Sequence, residues 1–236
     1  MRLQTFISHH SVHSRRKAFD LVQEGKVKVN GDIIMEPSFN VDPARDKVTV
    51  LGQLIKAESY EYIVINKPMG YVSTRTDRFK EEIVYDLLPE KYKKLTIVGR
   101  LDKDTEGLLL LTNDGDLANR LTHPRYELNK TYFALVRGPL TRESIRKVEA
   151  GVIIDDSKTS PAFIEDVVKT PSGTELIITI HEGRKRQIRR MFDTVACKVV
   201  YLKRLSIGPL SLGNLGLGKW RPLSAQEIKG LHHDHH

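Results

Sequence analysis

Three carboxylates set close together are the residues of this sequence best suited to chemistry. Asp102, Asp104 and Glu106 alternate with Arg100, Lys103 and Thr105 between Gly99 and Gly107. Opposite charges at such short separations tune one another's proton affinity, which acid–base or nucleophilic work by a carboxylate requires. Leu108 to Leu111 follow directly, then Thr112 and the turn sequence Asn113-Asp114-Gly115. An uninterrupted leucine run between Gly107 and that turn reads as a buried strand. A loop anchored to such a strand is a frequent place for catalytic groups. Residue types alone do not choose among the three acids: a magnesium site or an aspartate that caps the loop fits the spacing as well as a catalytic carboxylate does.

Two further sets of residues imply an anionic ligand. Residues 184–204 hold eight Lys/Arg (Arg184, Lys185, Arg186, Arg189, Arg190, Lys198, Lys203, Arg204) against one acid, Asp193, and so carry most of the formal charge of +8. A solvated helix face would intersperse acids to form i,i+4 pairs, and this segment does not, so contact with phosphates is the better reading. Near the N-terminus, Ser14 caps a short helix whose first turn is Arg15-Arg16-Lys17, with Gly25 as its stop. Cations there oppose the helix dipole unless an anion meets them, and an RNA phosphate would.

The elements that must position these residues follow from periodicity. Leu3, Phe6 and Ile7 give a first helical stripe, followed by the Ser14 helix. Val27-Lys28-Val29, Asn30-Gly31 and Ile33-Ile34 read as a hairpin, and Val48 to Leu51 as a strand. Residues 58–60 read as a linker, giving a small first domain over 1–58 and a second over 59–236. In the second, strand-like runs fall at 62–65, 96–98, 107–112, 131–136, 175–180 and 198–203, with a helix expected over 184–195. Their irregular spacing is not the strict strand–helix alternation of a doubly wound parallel sheet. It predicts an α+β fold on a mixed, largely antiparallel sheet flanked by helices. The ending 231–236 reads as a polar tail, whose histidines would meet a metal only adventitiously.

Composition bounds the function. At 39% hydrophobic and 29% charged residues the chain is globular in character, and it has no apolar run near the ~20 residues a membrane helix needs. The first residues lack the apolar core of a secretory signal. A single cysteine, Cys197, excludes an internal disulfide framework and fits a reducing compartment, so the cytoplasm is expected.

The order Ser14-Arg15-Arg16-Lys17-Ala18 to Gly25-Lys26-Val27-Lys28-Val29-Asn30-Gly31 resembles the alpha-L RNA-binding motif of a small-subunit ribosomal protein and of several RNA-modifying enzymes. That resemblance covers most of residues 1–52 and implies that Arg15, Arg16, Lys17 and Lys28 contact RNA phosphates. Gly99-Arg100-Leu101-Asp102 with Thr105 and Gly107-Leu108-Leu109 is similar to the central motif of pseudouridine synthases, specifically the RsuA family that acts on ribosomal RNA. Further blocks agree in order: Asn66-Lys67-Pro68-Met69-Gly70, Leu87-Leu88-Pro89, Lys130-Thr131-Tyr132 and Glu182 to Met191.

The resemblance implies isomerisation of uridine to pseudouridine without a cofactor, with Asp102 as the essential carboxylate, either nucleophile or base. It implies that Arg189 pairs with that aspartate and that Tyr132 stacks on the target base. Lys130 would support the site, and Arg100 would fill the space left by a flipped nucleotide, since a stacked uridine cannot present C1′ and C5 to an enzyme. On a helix over 184–195, Ile188, Met191, Phe192 and Val195 face the core with Arg189 at their edge, about 100° from Ile188, while Arg186 and Arg190 point away toward RNA phosphates. The expected partner is ribosomal RNA, of the large subunit, bound by a monomer. The chain departs from the family at Phe79-Lys80-Glu81-Glu82, where a Gly-Arg pair is usual, and at Ala196-Cys197, where Gly-His is usual. The alternatives are a small-subunit target, a catalytically silent RNA-binding assembly factor, and a carboxylate-based glycosidase or nuclease. For the last, no second acid motif or metal-ligand cluster accompanies Asp102 and Asp104.

Overall fold

The computed structural model describes residues 1–56, 59–76 and 80–232 and divides the chain into two compact units, Met1–Tyr60 and Glu61 onward. In the first, α1 (Leu3–His10) and α2 (Arg15–Gln23) pack together, burying Leu3, Phe6 and Ile7 with Ala18, Leu21 and Val22. Ser14 caps α2 as its sequence indicates, its Oγ accepting the Lys17 amide at 3.2 Å. Strands β1 (Val27–Val29), β2 (Asp32–Ile33), β3 (Val48–Val50) and β4 (Gln53–Ile55) form an antiparallel sheet in the order β2-β1-β3-β4. Asn30 and Gly31 join β1 to β2 with φ of 53° and 103°, the positive pair that a type I′ turn requires. The first arm ends at Ile33, and β3 ends before Leu51, which turns with Gly52 at positive φ. Strand β4 has no sequence signature because it buries no alternating face.

The second unit is built on one nine-stranded sheet. Its elements are β5 (Tyr62–Lys67), β6 (Thr96–Val98), β7 (Glu106–Thr112), α3 (Gly115–Thr122), β8 (Lys130–Arg137), α4 (Arg142–Glu149), the hairpin β9 (Ile153–Ile154) and β10 (Ser157–Lys158), β11 (Phe163–Thr170), β12 (Gly173–Ile180), α5 (Gln187–Asp193), β13 (Lys198–Ile207), β14 (Leu210–Ser211), β15 (Trp220–Pro222) and α6 (Ala225–His232). The main order is β11-β12-β8-β13-β7-β5-β15, with β14 on β13 and β6 on β7. Every pairing is antiparallel except β13 with β7, the mixed sheet that the run spacing predicts. Strand β7 explains the leucine run. Leu109 and Leu111 enter a core with α4 and α5, and Leu108 and Leu110 enter the opposite core with α3 and α6. All four are fully buried.

The structure corrects several expectations. The helix over 184–195 is only Gln187–Asp193, because Arg186 takes a left-handed conformation (φ 52°) and acts as its N-cap residue. Asn113-Asp114-Gly115 is a helix start as well as a turn, Asp114 Oδ1 accepting the Leu117 amide at 3.0 Å. Leu231 and His232, read as the start of a tail, close α6, with Leu231 buried. Residues 233–236, Phe79 and Glu58 lie outside the described residues. Strand β11 escapes the pattern because Asp166, at positive φ, sits in a bulge that breaks its alternation. Among the described residues no helix is long and apolar enough to cross a membrane.

Candidate active site

The loop between β6 and β7 is fixed from below by strand β5 and the segment that follows it. Lys67, at the end of β5, is fully buried, and its ammonium donates to Thr105 O at 2.8 Å, Pro68 O at 2.9 Å and Lys103 O at 3.4 Å. Burial pushes Lys67 down to about 8, against the opposing pull of Glu106, Asp104 and Asp102. Ser73 Oγ donates to Leu101 O at 2.9 Å and accepts from Leu101 N at 3.2 Å. Gly70 N donates to Lys103 O at 2.9 Å. Thr105 N–H closes a turn on Asp102 O at 3.1 Å. With its carbonyls held on both sides of Asp102, the loop presents that side chain in one place.

That place is the wall of a cavity of about 770 Å³, lined also by Arg100, Lys130, Tyr132, Arg186 and Arg204. Asp102 is half-buried, and among the described residues its carboxylate has no hydrogen bond or ion pair. Tyr132 on β8 is buried at 7% exposure with its neighbour strands on both sides. Lys130, one side-chain alternation away, donates to Leu128 O at 3.0 Å and His181 O at 3.2 Å. Burial, and then the charge of Arg204, push it down to about 8. Arg100 is exposed.

Arg189 is placed differently from expectation. Its guanidinium meets Asp104, not Asp102: Nη2 donates to Asp104 O at 2.7 Å, Nε lies 3.3 Å from Asp104 Oδ2, and Nη1 donates to Val199 O at 2.7 Å. The cause is the 102–105 turn, which leaves Asp102 on the cavity side and carries Asp104 to α5. Arg186, expected to point away, forms a two-pronged pair with the same Asp104, both bonds at 2.9 Å. Burial acts to raise the Asp104 carboxyl, but the Arg186 hydrogen bonds and the Arg189 charge prevail and hold it below its ordinary value. Arg190 does lie on the outer side, yet it is paired with Asp155 of the turn between β9 and β10 and does not line the cavity. Arg15, Arg16, Lys17 and Lys28 belong to the other unit and are exposed there, with Arg15 Nη2 donating to Thr5 Oγ1 at 3.2 Å.

From sequence alone Ser73 has no role, Lys67 is only one residue of the 66–70 block, and Arg204 is only one of the basic residues of 184–204. A signal existed for two of them. Lys67 ends a strand that opens on four apolar residues, Tyr62 to Ile65, and Arg204 stands two residues from Leu202, so it shares a strand face with a core leucine.

Comparison with known proteins gives consistent matches. The family model described as RNA pseudouridylate synthase matches residues 61–194, and that of the S4 domain matches residues 1–46. A ribosomal large subunit pseudouridine synthase B of Bacillus subtilis is 42% identical over 232 residues, 98% of this chain and 95% of that protein. An uncharacterized RNA pseudouridine synthase of Aquifex aeolicus is 41% identical over 233 residues, 98% and 93% of the two chains. A crystal structure of a pseudouridylate synthase superposes with a TM-score of 0.69 at 32% identity, covering 98% of this chain and 99% of that one.

Proposed function

Because this chain belongs to the RNA pseudouridylate synthase family and carries an S4 domain at its N-terminus, we propose that it isomerises a uridine of ribosomal RNA, in the large subunit, with Asp102 as the reacting carboxylate. The observation that carries this reading is an Asp102 carboxylate with no hydrogen bond or ion pair among the described residues, lining together with Tyr132 a cavity large enough for a nucleotide. The likeness to the Bacillus subtilis large-subunit enzyme supports the choice of RNA.

The reaction breaks the C1′–N1 bond and joins C1′ to C5 with no net change in composition, so it consumes no co-reactant. The target base must leave its stack to reach the cavity, with the exposed Arg100 at the rim to take its place. Tyr132 supplies a rigid aromatic wall for the base. Asp102 acts in ionised form at the sugar, as nucleophile at C1′ or as base. Arg189 serves it indirectly, by tying the loop through Asp104 to α5 and β13. Arg186, half exposed at the cavity, is placed to exchange Asp104 for an RNA phosphate.

The test is pseudouridine mapping of both ribosomal RNAs from cells with and without the gene. One large-subunit site is expected to disappear, to return with the wild-type gene, and not to return with Asp102→Asn, which should slow turnover by about 1,000-fold or more. If no site changes, the reading is wrong. A lost small-subunit site would move the address, and a site rescued by Asp102→Asn would remove Asp102 from the chemistry.

A further inference from the structure

Arg204 is the most deeply buried cation at the cavity. It is 3% exposed, yet it lines the same space as Asp102 and Tyr132. Of its three guanidinium nitrogens only Nε has an acceptor among the described residues, Leu108 O at 2.8 Å, and Nη2 is buried with none. Among the described residues no carboxylate forms an ion pair with it. Its position is set by the sheet: Arg204 lies directly opposite Tyr132 on β8 and opposite Gly107 on β7. Opposed residues share a face, and the missing side chain at Gly107 leaves that row open for the guanidinium. Lys130 adds a second largely buried cation at the same wall, tied only to backbone carbonyls. Buried cations without an acid of their own are destabilising to the fold, and paired in a cleft they mark a place where negative charge arrives.

We propose that Arg204, with Lys130 beside it, stabilises the uracil anion that forms when the glycosidic bond breaks. This rests on the pseudouridine synthase reading above. When C1′–N1 breaks, the bonding pair goes to N1 and the base leaves as an anion, its charge spread over O2 and O4. The sugar's deficit at C1′ is met by Asp102, by attack or by temporary removal of a sugar proton. After the base turns, C5 returns the electron pair to C1′, Asp102 is released, the C5 proton is lost and N1 takes a proton. Between the two bond changes the negative charge lies on the base, and a donor group at the Tyr132 wall meets it there. RNA phosphates stay at the mouth, where Arg186 and Arg100 are exposed, so the base rather than the backbone is the ligand of Arg204.

The test compares wild type, Arg204→Gln and Arg204→Lys in single turnover on a transcribed rRNA fragment spanning the mapped site, with either uridine or 5-fluorouridine at the target. Fluorine stabilises the base anion. Arg204→Gln should therefore slow C1′–N1 cleavage at least 100-fold with uridine but at least fivefold less severely with 5-fluorouridine. RNA affinity and its salt dependence should stay within twofold of wild type. Arg204→Lys keeps the charge and should fall between, and it carries the comparison if the glutamine variant does not fold. Equal losses on the two substrates, a loss confined to RNA affinity, or a lowered salt slope would overturn the proposal. A wild-type enzyme inactive on both ribosomal RNAs would overturn the functional reading and this inference with it.

Discussion

Lys130 and Lys67 are each held by three or fewer backbone carbonyls in a setting that disfavours their charge, and both are pushed down to about 8 from an ordinary 10.5. A depressed lysine binds fewer protons in the folded than in the unfolded state between those two values, so folding stability rises with pH across that window. Below about pH 8 the lysine is protonated in both states and the burial penalty is fully present. Relative to Lys130→Met, the wild-type protein should therefore gain unfolding free energy from pH 8 to pH 10, read by urea titration at each pH. A constant difference would show that Lys130 stays charged through that range. The Asp104–Arg186 pair is of another kind. With side chains 46% and 42% exposed, it is worth at most about 1 kcal/mol, weak enough to give way to a phosphate.

Strand β7 is the element on which the site depends, because it carries the end of the Asp102 loop and pairs with β5, β6 and β13. Gly107 makes its junction with β13 possible. At φ 106° it occupies backbone space that side chains rarely tolerate, and a Cβ there would fall 2.2 Å from Arg204 O. Gly107→Ala should destabilise the protein by about 2 kcal/mol or more and disturb Arg204 with it, seen as a lowered urea midpoint and slowed single-turnover isomerisation. A variant as stable as wild type would mean that β13 yields without loss. The leucines of β7 were legible from sequence because a run with no alternation has to be covered on both faces. The shortened α5 was not, since nothing in Arg184-Lys185-Arg186 announces that Arg186 turns left-handed. That turn is what lets Arg186 reach back to Asp104 while Arg189 faces inward.

Both units carry cations that have no ion pair among the described residues, the first at Arg15, Arg16, Lys17 and Lys28 and the second at Arg100, Lys130 and Arg204 of the cavity. Binding of RNA by phosphate contact releases counterions, so affinity should fall steeply with salt. Substituting all four N-terminal cations by glutamine should lower the slope of log affinity against log salt by about 3, with the single-turnover rate at saturating RNA little changed. An unchanged slope would mean that these residues do not touch the RNA. Short-range patterns fix much of this molecule in sequence: the Ser14 cap, the Asn30-Gly31 turn, the doubly buried leucine strand and the loop of acids before it depend on neighbours a few residues away. Which acid stays free and which one takes the arginines is different. Asp102 and Asp104 are near-identical in sequence terms, and only the 102–105 turn, held by Lys67 and Ser73 from a distant strand and the segment after it, sends one to the cavity and the other to α5. Arg204 acquires its partners the same way, through strand pairings about 70 and 100 residues away in the chain. Tertiary structure decides such matters because electrostatic partners are set by proximity in space, and residue type and spacing encode proximity only over a turn or two.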